Sequence, residues 1–140
     1  MKIKDIMHSP TFVEPEKPIV EAVKKMQKLN ISSVIVGTAE DPIGMFTERD
    51  VLREVVMKGV DAKKVSLYDL MCNTELKHVM CKVLTTVHQD TPLEEVAEKM
   101  MGRYVRHMPV VDDSKKIVGM VSARTVMNGL KYAYFTKRRR

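Results

Sequence analysis

The residues with the clearest potential for chemistry lie at positions 44–50, which read Gly-Met-Phe-Thr-Glu-Arg-Asp. The apolar residues before Thr47 are typical of a strand end, and apolar residues recur with helical spacing after Asp50. Thr47 is placed to cap that helix, and Asp50 puts an acid in its first turn, where the helix dipole favours negative charge. On this stretch alone, the hydroxyl and the carboxylate serve either as helix caps or as groups that bind a ligand.

The same order of residues recurs at positions 119–125, which read Gly-Met-Val-Ser-Ala-Arg-Thr. In this copy Thr125 stands where the first copy has its carboxylate. Each copy follows a short helical turn, a strand, a helix that begins at a proline and a β-branched apolar run. We align the turn at residues 3–8 with residues 76–81. Since one such unit would bury little surface, the repeat predicts an α/β (α+β) fold of two βαββα lobes packed sheet to sheet.

The repeat divides the chain into four parts. We expect a first repeat at residues 1–60, a connecting segment at 61–75, a second repeat at 76–131 and a basic C-terminal tail at 132–140. Residues 66–71 within the connecting segment have the pattern of a short helix. The sequence assigns no specific role to this segment.

Composition favours a globular protein. The chain has 140 residues, of which 44% are hydrophobic, and no apolar run reaches the ~18 residues of a membrane span. The N-terminus has no long apolar stretch of the kind found in signal peptides, so we expect a cytoplasmic protein. Of its 12 methionines, several fall at positions expected to face a core, which favours packing over metal binding: Met26, Met100, Met101 and Met108.

Neither metal binding nor catalysis is indicated by the reactive side chains. Cys72 and Cys81 flank His78, and His88 follows, but this spacing matches no zinc pattern. A disulfide needs the segment to fold back on itself, and a reducing cytoplasm favours free thiols. The sequence contains no pair of catalytic carboxylates, no glycine-rich phosphate loop and no Ser/His/Asp arrangement. We therefore expect a protein that is not an enzyme and needs no cofactor.

Three motifs together resemble one family, the tandem CBS (cystathionine β-synthase) domains known as Bateman modules. They are Asp5-Ile6-Met7, the stretch Met108-Pro109-Val110-Val111-Asp112, and the Gly-apolar-apolar-Thr/Ser-x-x-Asp pattern of residues 44–50. The resemblance covers nearly the whole chain. It implies two βαββα units about a pseudo-twofold axis, two clefts between them, association as flat homodimers, and an adenosyl ligand such as AMP, ADP, ATP or S-adenosylmethionine.

The resemblance also implies which residues bind such a ligand. A ribose has two adjacent hydroxyls, and one ionised carboxylate can accept a hydrogen bond from both, which makes Asp50 the expected ribose ligand. Arg106 and His107 are expected near phosphate, or else form a solvated pair at a strand edge. The full predicted set is Met45, Thr47, Asp50, Val83, Thr85, Val105, Arg106 and His107.

The second cleft is expected to bind more weakly. Thr125 cannot accept two hydrogen bonds as a carboxylate does, and Ser32 and Ser33 occupy the positions that match Arg106 and His107. Losing charge-assisted bonds of about 1.5–3 kcal/mol each weakens binding by an order of magnitude or more. This cleft would be lined by Phe12, Ile31, Ser32, Ser33, Met120, Ser122 and Thr125, although a core role for Phe12 is also expected.

The predicted function is that of a stand-alone regulatory module, which binds an adenosyl ligand and passes the bound state to another protein, to its own dimer or to nucleic acid. The alternative rests on the basic tail, whose last four residues supply four of the formal +6 charges and follow three aromatic residues. Such a tail either binds nucleic acid, with the repeats as a dimerisation scaffold, or is a disordered solubilising end. Its basic residues are Lys137, Arg138, Arg139 and Arg140.

Overall fold

The computed structural model describes residues 1–72 and 84–139. The chain forms two compact units. The first unit is Thr11–Leu84, and the second unit combines Met1–Pro10 with Thr85–Arg140. Each unit contains one three-stranded sheet together with helices, and the element order confirms the expected mixed α/β fold of two βαββα repeats.

The first unit has the sheet order β1-β2-β3, in which β1 is parallel to β2 and β2 is antiparallel to β3. The helix after β3 begins with one α-helical turn, α2, and continues without a break as a π-helix over Val51–Val56. The elements are β1 Phe12–Val13, α1 Ile19–Leu29, β2 Ser33–Gly37, β3 Pro42–Thr47, α2 Glu48–Asp50 and α3 Leu67–Cys72.

The second unit has the same arrangement, with the sheet order β4-β5-β6 and the same parallel and antiparallel pairings. A 3-10 turn over Ile3–Asp5 belongs to this unit, although it lies at the other end of the sequence. The remaining elements are β4 Val87–His88, α4 Leu93–Arg103, β5 His107–Val111, β6 Ile117–Ser122 and α5 Ala123–Arg138.

Each unit has its own hydrophobic core, because the helices turn one apolar face towards the sheet. In the first unit Ile19, Ala22 and Met26 of α1 follow helical spacing and pack with the central strand and with Phe46. In the second unit α4 packs against β5 in the same way, through Leu93, Val96 and Met100. Met26, Met100 and Met108 are buried as expected, but the prediction for Met101 is wrong, because 77% of its surface is exposed.

The N-terminal residues are held in the second unit by backbone hydrogen bonds to the start of α4. The amide of Ile3 donates to the carbonyl of Thr91 at 2.9 Å, and the amide of Leu93 donates to the carbonyl of Met1 at 3.2 Å. Ile3 is fully buried in the core of this unit. The first ten residues of the chain are therefore part of the structure formed by its last fifty-six.

The connecting segment has the same role in the first unit. The amide of Leu67 donates to the carbonyl of Lys17 at 2.9 Å, and the amide of Ile19 donates to the carbonyl of Val65 at 2.9 Å. Leu67 is fully buried, as Ile3 is in the other unit. This segment, to which the sequence assigns no role, thus supplies the turn that begins the first unit's helix.

The sequence contains a signal for this correspondence. Asp69-Leu70-Met71 in α3 repeats the order of Asp5-Ile6-Met7 beside the N-terminal turn. The structure therefore matches residues 1–7 with residues 65–71 of the first unit. The alignment of residues 3–8 with residues 76–81 falls largely outside the described residues.

Candidate functional site

Thr47 and Asp50 form a capped corner where β3 ends and α2 begins. The amide of Thr47 donates to Oδ2 of Asp50 at 2.8 Å, and the Thr47 hydroxyl donates to the same oxygen at 3.0 Å. In return, the amide of Asp50 donates to Oγ1 of Thr47 at 3.3 Å. This reciprocal capping box confirms Thr47 as the helix N-cap and holds the carboxylate in one orientation.

The Asp50 carboxylate is partly buried, and its electrostatics reflect opposing effects. Burial, the largest effect, raises the pKa of Asp50 above its ordinary value, and the hydrogen bonds from Thr47 act against this by stabilising the charged form. Nearby Glu54 raises the pKa of Asp50 further, while Arg53 lowers it. Among the described residues, the hydrogen bonds of this carboxylate all go to Oδ2, so Oδ1 has capacity to accept from a ligand.

The first unit places Ser32 and Ser33 beside the Thr47/Asp50 corner. Ser33 pairs with Thr47 across β2 and β3, and the carbonyl of Ser32 accepts a hydrogen bond of 3.1 Å from the amide of Glu48. Met45 lies two residues before Thr47 on β3 and is partly buried. Met45, Thr47 and Asp50 therefore share one sheet end with two neutral hydroxyl side chains.

Phe12 and Ile31, two residues predicted for the weaker cleft, also belong to the first unit. Phe12 is partly buried on β1, and its carbonyl accepts a hydrogen bond of 2.6 Å from Nζ of Lys25. Ile31 packs against the hydrophobic core of the unit. Ile31 therefore contributes to packing, whereas Phe12 is only partly buried and the expected core role of its side chain stays a prediction.

The corresponding corner of the second unit joins β6 to α5. The amide of Thr125 donates to Oγ of Ser122 at 3.2 Å, and the two hydroxyl oxygens lie 3.0 Å apart. Nε2 of His8 lies 2.8 Å from Oγ1 of Thr125, so this hydroxyl has two side-chain partners. Since a hydroxyl has one donor and two acceptor sites, Thr125 retains little capacity for a ligand.

His8 is the residue of this corner that the sequence did not reveal. Its contact with Thr125 joins positions 117 apart in the chain, and no local pattern indicates such a pair. The backbone amide and carbonyl of His8 are also bonded to Met120, at 2.9 Å each. Met120, predicted for the weaker cleft, is buried with 8% of its surface exposed.

Arg106 and His107 lie at the same end of the second unit. The carbonyl of Arg106 accepts a hydrogen bond of 2.8 Å from the amide of Ala123, and His107 pairs with Ser122 across β5 and β6. The side chain of Arg106 is exposed and that of His107 partly buried. Val105, just before them, packs against the core of the unit. The second unit thus has the basic residues Arg106 and His107 at the sheet end whose corner has no carboxylate.

Thr85 precedes β4, in a place where the two repeats differ. In the first unit the amide of Ile35 donates to the carbonyl of Thr11 at 2.8 Å. The equivalent of Ile35 in the second unit is Pro109, which has no amide hydrogen, so the pairing of β4 with β5 begins only at Val87. Thr85 therefore lies outside the strand and is partly buried. Val83, predicted beside it, lies outside the described residues.

The basic tail is not a separate segment in the structure. Residues 132–138 continue α5, so Lys137 and Arg138 form its last turn and Arg139 follows directly. Their side chains are exposed. Arg140 lies outside the described residues.

The described residues contain neither a group of metal ligands nor a membrane-spanning helix. Across residues 1–72 and 84–139, no three His, Cys, Asp or Glu side chains are grouped so that they could hold a metal ion. Cys72 ends α3, while His78 and Cys81 fall in the undescribed stretch. No helix in the described part of the chain is both long and apolar enough to cross a membrane.

Comparison with known proteins gives two matches to one family model. The model described as CBS domain matches residues 3–57 and again residues 76–132. These two matches cover most of the chain, and each contains one of the capped corners.

Similar proteins include both short and long chains. An uncharacterized protein of Methanopyrus kandleri is 31% identical over 87% of this chain and 58% of its own length. Inosine-5'-monophosphate dehydrogenase of Methanocaldococcus jannaschii is 29% identical over 93% of this chain but only 23% of its own. The chain thus spans about half, or less, of the length of these two relatives.

Solved structures share the fold. The CBS domain pair of protein MJ0100, crystallised in complex with 5-methylthioadenosine and S-adenosyl-L-methionine, superposes with a TM-score of 0.76. It is 24% identical in sequence, and the match covers 95% of this chain and 98% of that one.

Proposed function

Because the chain belongs to the CBS domain family, with two copies of the domain, we propose that it binds an adenosyl ligand at the Thr47/Asp50 corner and acts as a regulatory module. The binding residues lie at a sheet end where a strand passes into a helix, a place that commonly presents polar groups to ligands. The chain's own residues would carry binding and signalling, with no catalytic step. Regulation by a bound ligand requires only that the ligand favour one conformation over another.

The capping box at this corner is the observation that carries the proposal. A carboxylate fixed by two hydrogen bonds to Oδ2 is already oriented. Little side-chain entropy is therefore lost when a ribose diol donates hydrogen bonds to it. Partial burial also strengthens a hydrogen bond to the charged group, because little water competes for it. For helix capping alone, the hydrogen bonds between Thr47 and Asp50 are sufficient. Partial burial of the carboxylate is not needed for that role.

The kind of ligand is supported by the chemistry of the corner and by the MJ0100 domain pair, whose crystals contain two adenosyl compounds. Both compounds carry a ribose diol, the group that a carboxylate can grip by two charge-assisted hydrogen bonds. Met45 offers an apolar side chain for a purine ring. The predicted roles of Thr85, Val105, Arg106 and His107, all in the second unit, remain predictions from the resemblance, as does that of Val83.

We also propose that the Ser122/Thr125 corner binds such ligands weakly or not at all. It lacks a carboxylate, and the hydroxyl of Thr125 is already bonded to Ser122 and His8. The loss of one charge-assisted hydrogen bond corresponds to a weakening of about tenfold or more. A single strong site per chain is the expected stoichiometry.

Thermal unfolding with added ligand tests the proposal directly. The probes are AMP, ATP, 5-methylthioadenosine and S-adenosylmethionine, each well above its dissociation constant. A ligand at about 100 times its Kd stabilises the folded chain by about 2.7 kcal/mol, or roughly 5–10 °C in Tm for a chain of this size. We expect Asp50→Asn to remove most of this shift, since the amide cannot supply a charged acceptor.

Thr125→Val is the matched control, because it changes the same position of the other repeat. It should leave the ligand-dependent shift unchanged. If Asp50→Asn retained the full shift, or if Thr125→Val abolished it, the assignment of the site to the Thr47/Asp50 corner would be wrong. If none of the four probes stabilised the protein, the adenosyl class itself would be excluded.

The partner that reads the bound state is proposed to be a protein, a second copy of the chain included. Many apolar side chains remain exposed, among them Leu52, Val56 and Met57 after the Thr47/Asp50 corner and Met127 on α5. Exposed apolar side chains on one helix favour association over a monomer. The expected homodimer is checked by measuring the molar mass in solution with and without the ligand that gives the largest thermal shift.

A further inference from the structure

Helix α5 and the residues after it carry the whole net charge of the chain. Residues 123–140 contain six Lys or Arg residues and no Asp or Glu, which equals the formal charge of +6 for all 140 residues. The rest of the chain is formally neutral. Such an imbalance on one helix predicts a partner that is negatively charged.

The last turns of this helix combine positive charge with aromatic rings on one side. Positions three, four and seven apart share a helix face, so Lys131 lies on the same face as Tyr134, Phe135 and Arg138. Tyr132 and Arg139 extend this face on one side. We call these six residues the basic aromatic face, and all six side chains are exposed: Lys131, Tyr132, Tyr134, Phe135, Arg138 and Arg139.

Contacts within the face keep the rings and charges together. The guanidinium of Arg138 lies over the ring of Tyr134, 5.6 Å from its centre, and donates a hydrogen bond of 3.1 Å to the Tyr134 hydroxyl. The rings of Tyr134 and Phe135 meet edge to face, with centres 5.5 Å apart. Exposed aromatic rings with cations beside them can take both a base and its phosphate.

We propose that the basic aromatic face binds single-stranded nucleic acid, with its cations on the phosphates and its rings stacked on unpaired bases. Charge complementarity supplies the attraction, and exposed rings favour a single strand over a duplex, whose bases are already stacked on each other. This activity goes beyond the adenosyl site and does not depend on it.

The arrangement of the face argues against two other occupants. Helices that lie on membranes separate a basic side from an apolar side, whereas here Lys131 and Arg138 are mixed with Tyr134 and Phe135 on one side. A second copy docked by the same face would bring like charges together, which is unfavourable. A polyanion with flat bases satisfies both the charges and the rings.

Binding is measured by fluorescence anisotropy of the full chain with a labelled oligouridine of about 15 nucleotides, near the upper end of known site sizes. We expect binding at about 50 mM salt and a roughly 18-fold loss of affinity at about 200 mM, as three phosphate contacts on a single strand predict. A labelled RNA duplex of the same length should bind more weakly.

Two variants separate the contributions of charge and of base stacking to the affinity for oligouridine. Replacing Lys131, Arg138 and Arg139 by Gln should weaken binding by at least about tenfold and flatten the salt dependence. Replacing Tyr132, Tyr134 and Phe135 by Leu should also weaken binding by about tenfold, but leave the salt dependence unchanged. All six side chains are exposed, so neither variant should alter the Tm.

The matched control replaces Lys28, Lys63 and Lys64, three exposed lysines of the first unit, by Gln. It removes the same charge from the chain and should retain oligouridine binding. An equal loss in this control would assign the effect to net charge and overturn the proposal for α5. The proposal also fails if the duplex binds as tightly as the single strand, or if no oligouridine binds at about 50 mM salt.

Two further outcomes would assign the face to another partner. Sedimentation with phosphatidylserine vesicles, in the absence of oligouridine binding, would indicate a lipid surface. A change from dimer to monomer in the charge variant, with oligouridine binding unchanged, would indicate a second copy of the chain. Either result would overturn the proposal.

Discussion

Nε2 of His8 lies 2.8 Å from Oγ1 of Thr125, at the position where the other repeat has the carboxylate of Asp50. In both corners the residue before the helix has an extended backbone and its hydroxyl oxygen accepts from the amide three residues on, with Ser122 in place of Thr47. The two corners therefore differ mainly in how many hydrogen bonds the side chain at the third helical position, Asp50 or Thr125, can accept.

This difference predicts that one substitution can create a second site. Thr125→Asp restores the carboxylate of the capping box, and Ser122 is already in place to donate to it. With 5-methylthioadenosine, which carries no phosphate and so needs no basic side chain, calorimetric stoichiometry should rise from one site per chain to two. Thr125→Asn is the control of equal size and should remain at one site. Two equal sites in the unmodified chain would contradict the proposed inequality.

Asp50 should lower the stability of the protein near neutral pH in the absence of ligand. Burial raises the pKa of Asp50 above its value in the unfolded chain, so the folded state binds the proton more tightly. The stability that this group contributes is fully present below the ordinary aspartate pKa and is lost as pH rises through the higher, folded pKa. Asp50→Asn, which mimics the protonated form, should therefore match the wild-type Tm in acid and exceed it at neutral pH.

Comparison of the Tm of Asp50→Asn with that of the wild type requires two further variants. Asp41→Asn removes an exposed carboxylate and reports the general effect of one negative charge on this basic chain. Asp50→Ala removes the acceptor of the Thr47 amide, which should cost about 0.5–2 kcal/mol of unfolding free energy at any pH. A Tm of Asp50→Asn below that of the wild type at neutral pH would show that the charge stabilises the apo protein.

Gly37 at the end of β2 should tolerate no side chain. Its φ of +112° lies in the region that L-residues rarely adopt, and an added Cβ would come within 2.6 Å of the backbone oxygen of Asp41. We expect Gly37→Ala to lower the free energy of unfolding by about 2–4 kcal/mol. Gly59, with φ of +65° and open space around its Cβ, is the matched control and should cost only about 1 kcal/mol. Equal losses in a denaturant titration would show that the contact with Asp41 has no effect.

Ile3 and Leu67 should be equally important to the two units. Both are fully buried, and each joins its unit through a backbone hydrogen bond of 2.9 Å to the segment before a helix. Replacing either by Ala should cost about 2–5 kcal/mol, as for other buried aliphatic side chains. Hydrogen exchange should show which amides lose protection: those of β5 and β6 for Ile3→Ala, and those of β2 and β3 for Leu67→Ala. Loss of protection in the opposite unit would contradict this division of the chain.

Local patterns explain why much of the fold is predictable from the sequence. The β-branched run before Gly37 predicts β2, and the apolar spacing from Ile19 to Met26 predicts α1, because both signals arise from burial of one face or one strand. The N-cap at Thr47 follows from its own chemistry and that of Asp50 three residues later.

Features that depend on distant residues were not predictable in the same way. The contact of His8 with Thr125 and the place of Ile3 beside Thr91 join the two ends of the chain, and no local pattern encodes them. The end of α4 at Tyr104 is not predictable for another reason. It ends α4 in the left-handed conformation at φ 55°, which an asparagine such as Asn30 indicates but a tyrosine does not.

The place of Met1–Pro10 in the second unit has a consequence for synthesis on the ribosome. All residues of the first unit have been made once Leu84 has emerged, whereas Met1–Pro10 belong to a unit whose remaining residues are made last. Until α4 has been made, these ten residues lack the partners that bury Ile3 and bond their backbone. Since domains generally fold as units during synthesis, the first unit can fold before Ile3 is buried, whereas the second unit can bury this side chain only after α4 has been made.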